Sequence, residues 1–139
     1  MTESEAGTER HNVERAKSFY EALFARNWAV VNEILSPDVV VHEPAGLPYG
    51  GEYRGHDGFK RLMKSLPEYW SAVGPADIGY TAAGDVVHME TTLVATARAT
   101  GREVRLPFIE SWTFRDGRMV SAIIYYSDTY VLRQALGLA

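Results

Sequence analysis

The feature that most constrains the fold of this chain is a change in hydrophobic periodicity about halfway along it. Before residue 70, apolar side chains recur every three or four positions, which is typical of amphipathic helices. From Asp77 onward they alternate with polar side chains, which is typical of strands with one buried face. Helices that precede a run of strands indicate an α+β fold in which the helices cover one face of a sheet.

The first half of the chain predicts three helices and one strand. The helices are expected from about residue 12, over residues 28–35 and from about residue 56. The β-branched run 39–43 predicts a strand. Residues 44–55 are rich in glycine and proline, and we expect them to form a loop.

The second half predicts a meander of antiparallel strands. The strands are expected at residues 77–83, 86–99, 104–115 and 118–126. Asp116-Gly117 is a strong hairpin turn between the last two, and Pro107 is the expected point of curvature. The predicted fold is a cone-shaped α+β barrel, with N-terminal helices packed on a curved, mostly antiparallel sheet.

Length and charge limit the partners of the chain. Its 139 residues fit one domain, expected over residues 12–139, behind an acidic tail at residues 1–11 that we expect to be disordered. A net charge of -4 without a basic cluster argues against nucleic acid. No apolar run reaches the roughly 20 residues that a membrane span needs, so no membrane partner is expected.

The residue types present also argue against a metal or cofactor. Cysteine is absent, which excludes disulfides and thiolate metal sites and fits a cytoplasmic location. No two of the four histidines have the spacing of a zinc site, and no glycine-rich phosphate loop opens a helix. We therefore expect neither metal nor cofactor.

The most informative residue is an acid on an apolar strand face. In strand 104–115 Glu110 shares its face with five apolar side chains: Val104, Leu106, Phe108, Trp112 and Phe114. A buried carboxylate is costly unless it is paired or protonated, and a protonated glutamate is a hydrogen-bond donor. The structural alternatives are an ion pair with Arg98, or a bulge at Pro107 that turns Glu110 outward.

Three other polar residues are candidates for a site. Glu43 shares a face with two valines where its strand meets the loop, a frequent catalytic position; the alternative is a solvated strand end. Asp128 continues the apolar face of the last strand; the alternative is a cap of the terminal segment. His88 and Glu90 share a strand face that either lines a cavity or faces solvent.

Three stretches resemble the nuclear transport factor 2-like superfamily, and within it the ketosteroid isomerases and SnoaL-like polyketide cyclases. They are LSPDVVVHEPAG with YRGHDGFKRL, then ESWTFRDGRMVS, then IIYYSDTYVLRQALG. The similarity extends from about residue 12 to residue 136. It implies a cone whose interior is a pocket for a small apolar molecule.

The resemblance also implies roles for individual residues. Glu43 falls where ketosteroid isomerases place their general base, and Glu110 where they place a protonated acid in the oxyanion site. Asp128 falls in the region where cyclase-like relatives carry an acid or base. The oxyanion tyrosine of the isomerases aligns with Phe19, with Tyr20 next to it.

The expected function is cofactor-independent proton transfer next to a carbonyl group, as in an isomerase or polyketide cyclase, on an apolar substrate. The predicted pocket lining is Tyr20, Phe24, Trp28, Tyr49, Tyr53, Phe59, Leu62, Trp70, His88, Phe108, Trp112 and Tyr126. One alternative is a protein that binds an apolar ligand without turnover. The other is an epoxide hydrolase, which needs an arginine such as Arg98 between two aspartates.

The outer face of the sheet suggests self-association. Ile109, Ile123 and Tyr125 are apolar residues on strand faces predicted to point outward. An exposed apolar patch on a sheet predicts a homodimer formed through that face.

Overall fold

The structure, a computed structural model, describes residues 2–138. Its elements are α1 (Glu3–Phe24), α2 (Trp28–Ile34), β1 (Leu35–Glu43), β2 (Gly51–Arg54), α3 (Gly55–Tyr69), β3 (Trp70–Ala83), β4 (Val86–Ala97), β5 (Glu103–Arg115), β6 (Arg118–Tyr126) and α4 (Thr129–Ala135). Residue 1 of the predicted tail and residue 139 of the predicted domain lie outside the described residues.

The six strands form one sheet with the order β2-β1-β6-β5-β4-β3. The neighbours β1 and β6 are parallel, and every other neighbouring pair is antiparallel. The helix α1 contacts β3 and β4, whereas α3 contacts β1, β2 and β3. The predicted α+β fold, with N-terminal helices on a curved and mostly antiparallel sheet, is confirmed.

The register shifts of the sheet lie at places other than Pro107. Pro107 pairs with Thr92 in an unbroken β4–β5 ladder, so it forms no bulge. The register shifts instead in β3 between Ala76 and Gly79, where Asp77 has a φ of 60°. Such a bulge adds twist and bends the strand around the interior.

The core lies between the helices and the inner face of the sheet. Phe19 of α1 packs edge-on against Phe59 of α3 and Trp112 of β5, with ring centroids 6.0 and 5.6 Å apart. Trp112 and Phe114 are almost completely buried. Burying each large apolar side chain stabilises the fold by about 1.5–3 kcal/mol, so this contact between α1, α3 and β5 fixes the interior.

The helix α1 begins earlier than expected, and the prediction of disorder is wrong for residues 3–11. Thr2 accepts a hydrogen bond from the Glu5 backbone N–H, while the Glu5 side chain accepts one from Thr2. This capping box satisfies N–H groups that a helix start leaves unpaired. The exposed first turns need no apolar stripe, so the periodicity of the sequence does not mark them.

Two strand segments were also absent from the sequence prediction. The strand β2 lies in the predicted loop and pairs with the end of β1, and β3 begins at Trp70 rather than Asp77. Both lie at the edges of the sheet and are largely exposed, so neither shows the alternation of a half-buried strand. Among residues 2–138, no helix has the length and apolar character needed to cross a membrane.

Candidate active site

Two glutamates lie on the inner face of the sheet, as predicted. Glu43 is the last residue of β1 and is buried, on the same face as the buried Val39 and Val41. Glu110 lies in the middle of β5 between the buried Phe108 and Trp112. Alternating burial along both strands brings the two carboxyl groups to the side covered by the helices.

The register places the two glutamates on either side of one residue of β6. Glu110 pairs with Ile124. Val41 pairs with Ala122 in the parallel β1–β6 ladder, so Glu43, two positions further on, is level with Ile124 as well. Strands are spaced about 4.8 Å apart, so the two backbones are about 10 Å apart and both side chains point into the same interior.

Glu110 has a neutral hydrogen-bond donor and no cation. The indole Nε1 of Trp112 donates to its Oε1 over 3.3 Å. Within the described part of the chain, Glu110 forms no ion pair. Burial raises the pKa of Glu110 to about 7, and the Trp112 hydrogen bond opposes that rise. The Glu110 residue is half-buried on the inner face of β5.

Neither structural alternative for Glu110 fits this geometry. Arg98 is exposed and its Nε donates to the carbonyl oxygen of Pro67 over 2.8 Å. The ladder through Pro107 is regular, so Glu110 is not turned outward. Because Arg98 lies outside the site, the epoxide hydrolase alternative lacks the arginine that it requires.

Glu43 receives a hydrogen bond from a tyrosine. The Tyr126 hydroxyl donates to Glu43 Oε1 over 3.0 Å. Burial and, as a smaller cause, the charge of Glu110 raise the pKa of Glu43 to about 8, and the Tyr126 hydrogen bond opposes that rise.

Further hydroxyl and indole groups extend from Tyr126. The Tyr49 and Tyr126 hydroxyl oxygens are 3.4 Å apart, and Trp70 Nε1 donates to the Tyr49 hydroxyl over 3.1 Å. Burial raises the pKa of Tyr49 to about 12. Tyr49 belongs to the segment between β1 and β2, which closes on itself through Gly50 N–H to Leu47 C=O and is buried at Leu47 and Tyr49.

Aromatic side chains form the wall next to Glu110. Tyr20 lies 6.0 Å from Trp112 and 4.9 Å from Phe24, measured between ring centroids. Its hydroxyl makes no hydrogen bond within the described residues, and burial, followed by the charge of Glu110, raises its pKa far above the usual value. Tyr20 therefore supplies an unused donor beside Glu110.

Tyr80 belongs to this wall and was not predicted. Its ring lies 6.5 Å from Trp112, and burial, then the charges of Glu21 and Glu110, raise its pKa to about 12. The alternation of Tyr80 and Ala82 in the sequence could have identified it, because both lie on the inner side after the bulge.

Most of the predicted lining lies inside, and four members do not. Residues that are buried or half-buried in the interior are Tyr20, Tyr49, Phe59, Leu62, Trp70, Phe108, Trp112 and Tyr126. His88 is exposed on the outer face, because the inner residues of β4 are the odd-numbered ones. Phe24 and Trp28 are 53% and 43% exposed, since they lie where α1 ends and α2 begins.

Tyr53 borders the site from outside. Its hydroxyl donates to the Tyr49 carbonyl oxygen over 2.8 Å, and the Arg61 guanidinium lies 5.1 Å from its ring centre. It joins β2 to α3 and is half-buried against the core at the edge of the site.

Asp128 is a helix cap, so its prediction as a catalytic residue is corrected. It is exposed, and its Oδ1 accepts hydrogen bonds from the backbone N–H groups of Tyr130 and Val131. A carboxylate that satisfies the first N–H groups of a helix has a complete structural role. The capping alternative describes this geometry.

The pair lies in the interior and not in an open cleft. Two open surface depressions, of about 590 and 620 Å³, adjoin the Asp116-Gly117 turn and contain neither Glu43 nor Glu110. Within residues 2–138, no three histidine or acidic side chains cluster so that they could hold a metal ion. The arrangement is one of two carboxyl groups, a tyrosine donor and an aromatic wall.

Comparisons with solved structures agree with this fold. An NTF2-like protein of unknown function from Burkholderia pseudomallei is 28% identical, with a TM-score of 0.82 over 91% of this chain and 97% of that one. TerC, crystallised with polyporic acid, is 25% identical, with a TM-score of 0.82 over 91% and 98%. A candidate polyketide cyclase from Xanthomonas campestris is 19% identical, with a TM-score of 0.77 over 93% and 98%.

Sequence comparison identifies the family. A search of curated proteins found no match. The family model of the SnoaL-like domain matches residues 16–122, a span that includes α2, α3, β1 and β5 and both interior glutamates. The chain therefore belongs to the SnoaL-like domain family.

Proposed function

We propose that the protein is a cofactor-independent enzyme that transfers a proton next to a carbonyl group of an apolar substrate, as an isomerase or a cyclase does. The observation that carries the proposal is the pair Glu43 and Glu110. Both face one interior, neither is paired with a cation in the described residues, and burial raises the pKa of each toward neutrality. Acid–base catalysts need such pKa values.

The pair can supply an acceptor and a donor at the same pH. The pKa values are about 7 for Glu110 and about 8 for Glu43, so at a pH between these values the two carboxyl groups together hold one proton. The lower value is that of Glu110, whereas the hydrogen bond from Tyr126 favours the carboxylate of Glu43. The proposed reaction uses the state of the pair in which Glu43 is the carboxylate and Glu110 carries the proton.

In the proposed reaction Glu43 is the base. It takes a proton from the carbon next to the carbonyl, and the electrons of that C–H bond move to form the enolate. Protonated Glu110 and the Tyr20 hydroxyl donate hydrogen bonds to the enolate oxygen. Glu43 then returns the proton to another carbon, which gives isomerisation. Alternatively, the enolate carbon attacks a second carbonyl, whose oxygen takes the proton back from Glu43, which gives ring closure.

The aromatic wall supports an apolar substrate. The rings of Tyr20, Tyr80, Phe108, Trp112 and Tyr126 surround the two carboxyl groups. TerC, which shares the fold, was crystallised with polyporic acid. A flat aromatic molecule that carries carbonyl oxygens is therefore the substrate class that we propose.

Replacement of the glutamates tests the catalytic proposal. We expect Glu43→Gln to slow proton–deuterium exchange at the activated carbon of aryl 1,3-diketones by about 100-fold or more, since an amide cannot accept the proton. Glu110→Gln should slow exchange less, because an amide N–H can still donate a hydrogen bond, weaker than that of a carboxylic acid, to the enolate oxygen. Exchange is followed by proton NMR in D₂O.

The matched control is Glu90→Gln, an exposed glutamate on the outer face of β4. It should leave the rate unchanged. Exchange that is equal in all three variants and the wild type would remove the pair from the mechanism.

Binding without turnover is a second candidate. The Tyr126–Glu43 and Trp112–Glu110 hydrogen bonds favour it, because they give each carboxyl group a partner in the absence of substrate. Proton NMR of the diketones in D₂O, with and without the protein, separates the two: exchange no faster than in its absence, together with a bound compound in native mass spectrometry, favours a binding protein, and faster exchange favours an enzyme.

A further inference from the structure

We propose that Trp70 and Tyr49 are positioning residues, which fix the direction of a hydrogen-bond chain that ends on Glu43 and stabilise the carboxylate form of Glu43. This inference deepens the proposed function and rests on it for its catalytic meaning. It is carried by the contacts of four side chains from β1, β6, β3 and the β1–β2 segment.

The chain has a fixed beginning. The Trp70 indole is buried, and its Nε1 can donate but never accept. It donates to the Tyr49 hydroxyl over 3.1 Å. The Tyr49 hydroxyl still has its own proton to donate, and the Tyr126 hydroxyl, 3.4 Å away, is the acceptor within reach.

The chain also has a fixed end. The distance between the two tyrosine hydroxyls fits either direction of donation. Tyr126 has only one hydroxyl proton, and it lies 3.0 Å from Glu43 Oε1. When Tyr126 accepts from Tyr49, that proton is available to Glu43, and every bond runs from Trp70 toward the carboxylate.

Reversal of the chain is unfavourable. If protonated Glu43 donated to Tyr126, then Tyr126 would donate to Tyr49, and the Tyr49 oxygen would accept from both Tyr126 and Trp70 while its own proton met no acceptor among the described residues. Tyr49 and Trp70 are buried, so a donor would be left without an acceptor. Successive donors also polarise one another and strengthen the last bond, the one to Glu43.

Glu110 lacks such support. Its donor, Trp112, supplies a single bond over 3.3 Å, and the indole cannot accept a bond from anything behind it. The ionisable groups that face Glu43 are Glu110 of β5, Tyr126 of β6, Tyr49, and Tyr53 of β2. The directed chain thus distinguishes two glutamates that are otherwise similarly buried.

The test is a carbon-13 NMR titration of the side-chain carboxyl groups in the full-length protein, with the Glu43 signal assigned by its loss in Glu43→Gln. We expect Tyr49→Phe and Trp70→Phe each to raise the pKa of Glu43 by roughly 0.5 to 1 and to leave Glu110 nearly unchanged. In the double variant the two effects should not add, because both residues act through one chain.

The matched control is Tyr69→Phe. The Tyr69 ring lies 5.5 Å from that of Tyr49, and its hydroxyl makes no hydrogen bond within residues 2–138. Removal of the Tyr69 hydroxyl should leave the pKa of Glu43 unchanged. Tyr49→Phe keeps the inference testable if Trp70→Phe does not fold.

An unchanged Glu43 pKa in Tyr49→Phe, or an equal rise for Glu110, would overturn the inference. The titration needs no turnover, so its outcome is independent of the catalytic proposal. A raised Glu43 pKa in Tyr49→Phe, together with an unchanged rate of proton–deuterium exchange in Glu43→Gln, would support the positioning role and reject catalysis by Glu43.

Discussion

At the scale of the residue, the central feature is an acid pair without a counter-ion. Burial opposes the charged form of both glutamates, and each charge would oppose the other, so the interior favours one proton shared by the pair. Neutral donors, Tyr126 and Trp112, stabilise the carboxylates without supplying a positive charge. A cation in their place would have lowered both pKa values and removed the base.

Sequence reasoning reached these two residues because a strand has a strict period of two. One apolar face in β1 and one in β5 were enough to place Glu43 and Glu110 inside. In β4 both faces mix polar and apolar residues, so the sequence did not decide which face of the sheet His88 occupies. In the structure His88 lies on the outer face. The bonds from Trp70 to Tyr49 and Tyr126 join residues far apart in the chain, and no local pattern shows them.

At the scale of the element, the segment between β1 and β2 decides where Tyr49 lies. The sequence predicted a loop here from its glycines and prolines, but composition does not show how tightly such a segment is packed. The structure places a Cβ built on Gly50 2.2 Å from the carbonyl oxygen of Pro44. The turn that carries Tyr49 therefore closes only around a glycine.

Replacement of Gly50 tests this role of the segment. We expect Gly50→Ala to lower the free energy of unfolding by about 1–3 kcal/mol, because the methyl group forces the backbone apart. Gly46→Ala in the same segment is the control, since a Cβ there meets nothing within 4 Å. Urea denaturation measures both, and equal stability of the two variants would contradict the account.

At the scale of the whole molecule, the outer face of the sheet stays a predicted dimer surface. Ile109 pairs with Tyr125 and Ser111 with Ile123, so the three apolar side chains are neighbours on adjacent strands. Tyr125 is 53% exposed. A contiguous apolar patch of this kind is stabilised when a second copy covers it.

The dimer prediction is checked by sedimentation at micromolar concentration. The wild type should sediment as a dimer, and Tyr125→Lys as a monomer, because a buried charge on each copy would oppose contact. Ile78→Lys, at an exposed position on the β3 bulge, should remain dimeric. A monomeric wild type would refute the prediction.

The measurement that tests the account most directly is the titration of Glu43 and Glu110 by carbon-13 NMR in the unmodified protein. The account predicts two coupled midpoints raised to about 7 and 8. Midpoints near the ordinary glutamate value of about 4.3 for both groups would contradict it, because water would then reach the carboxylates freely.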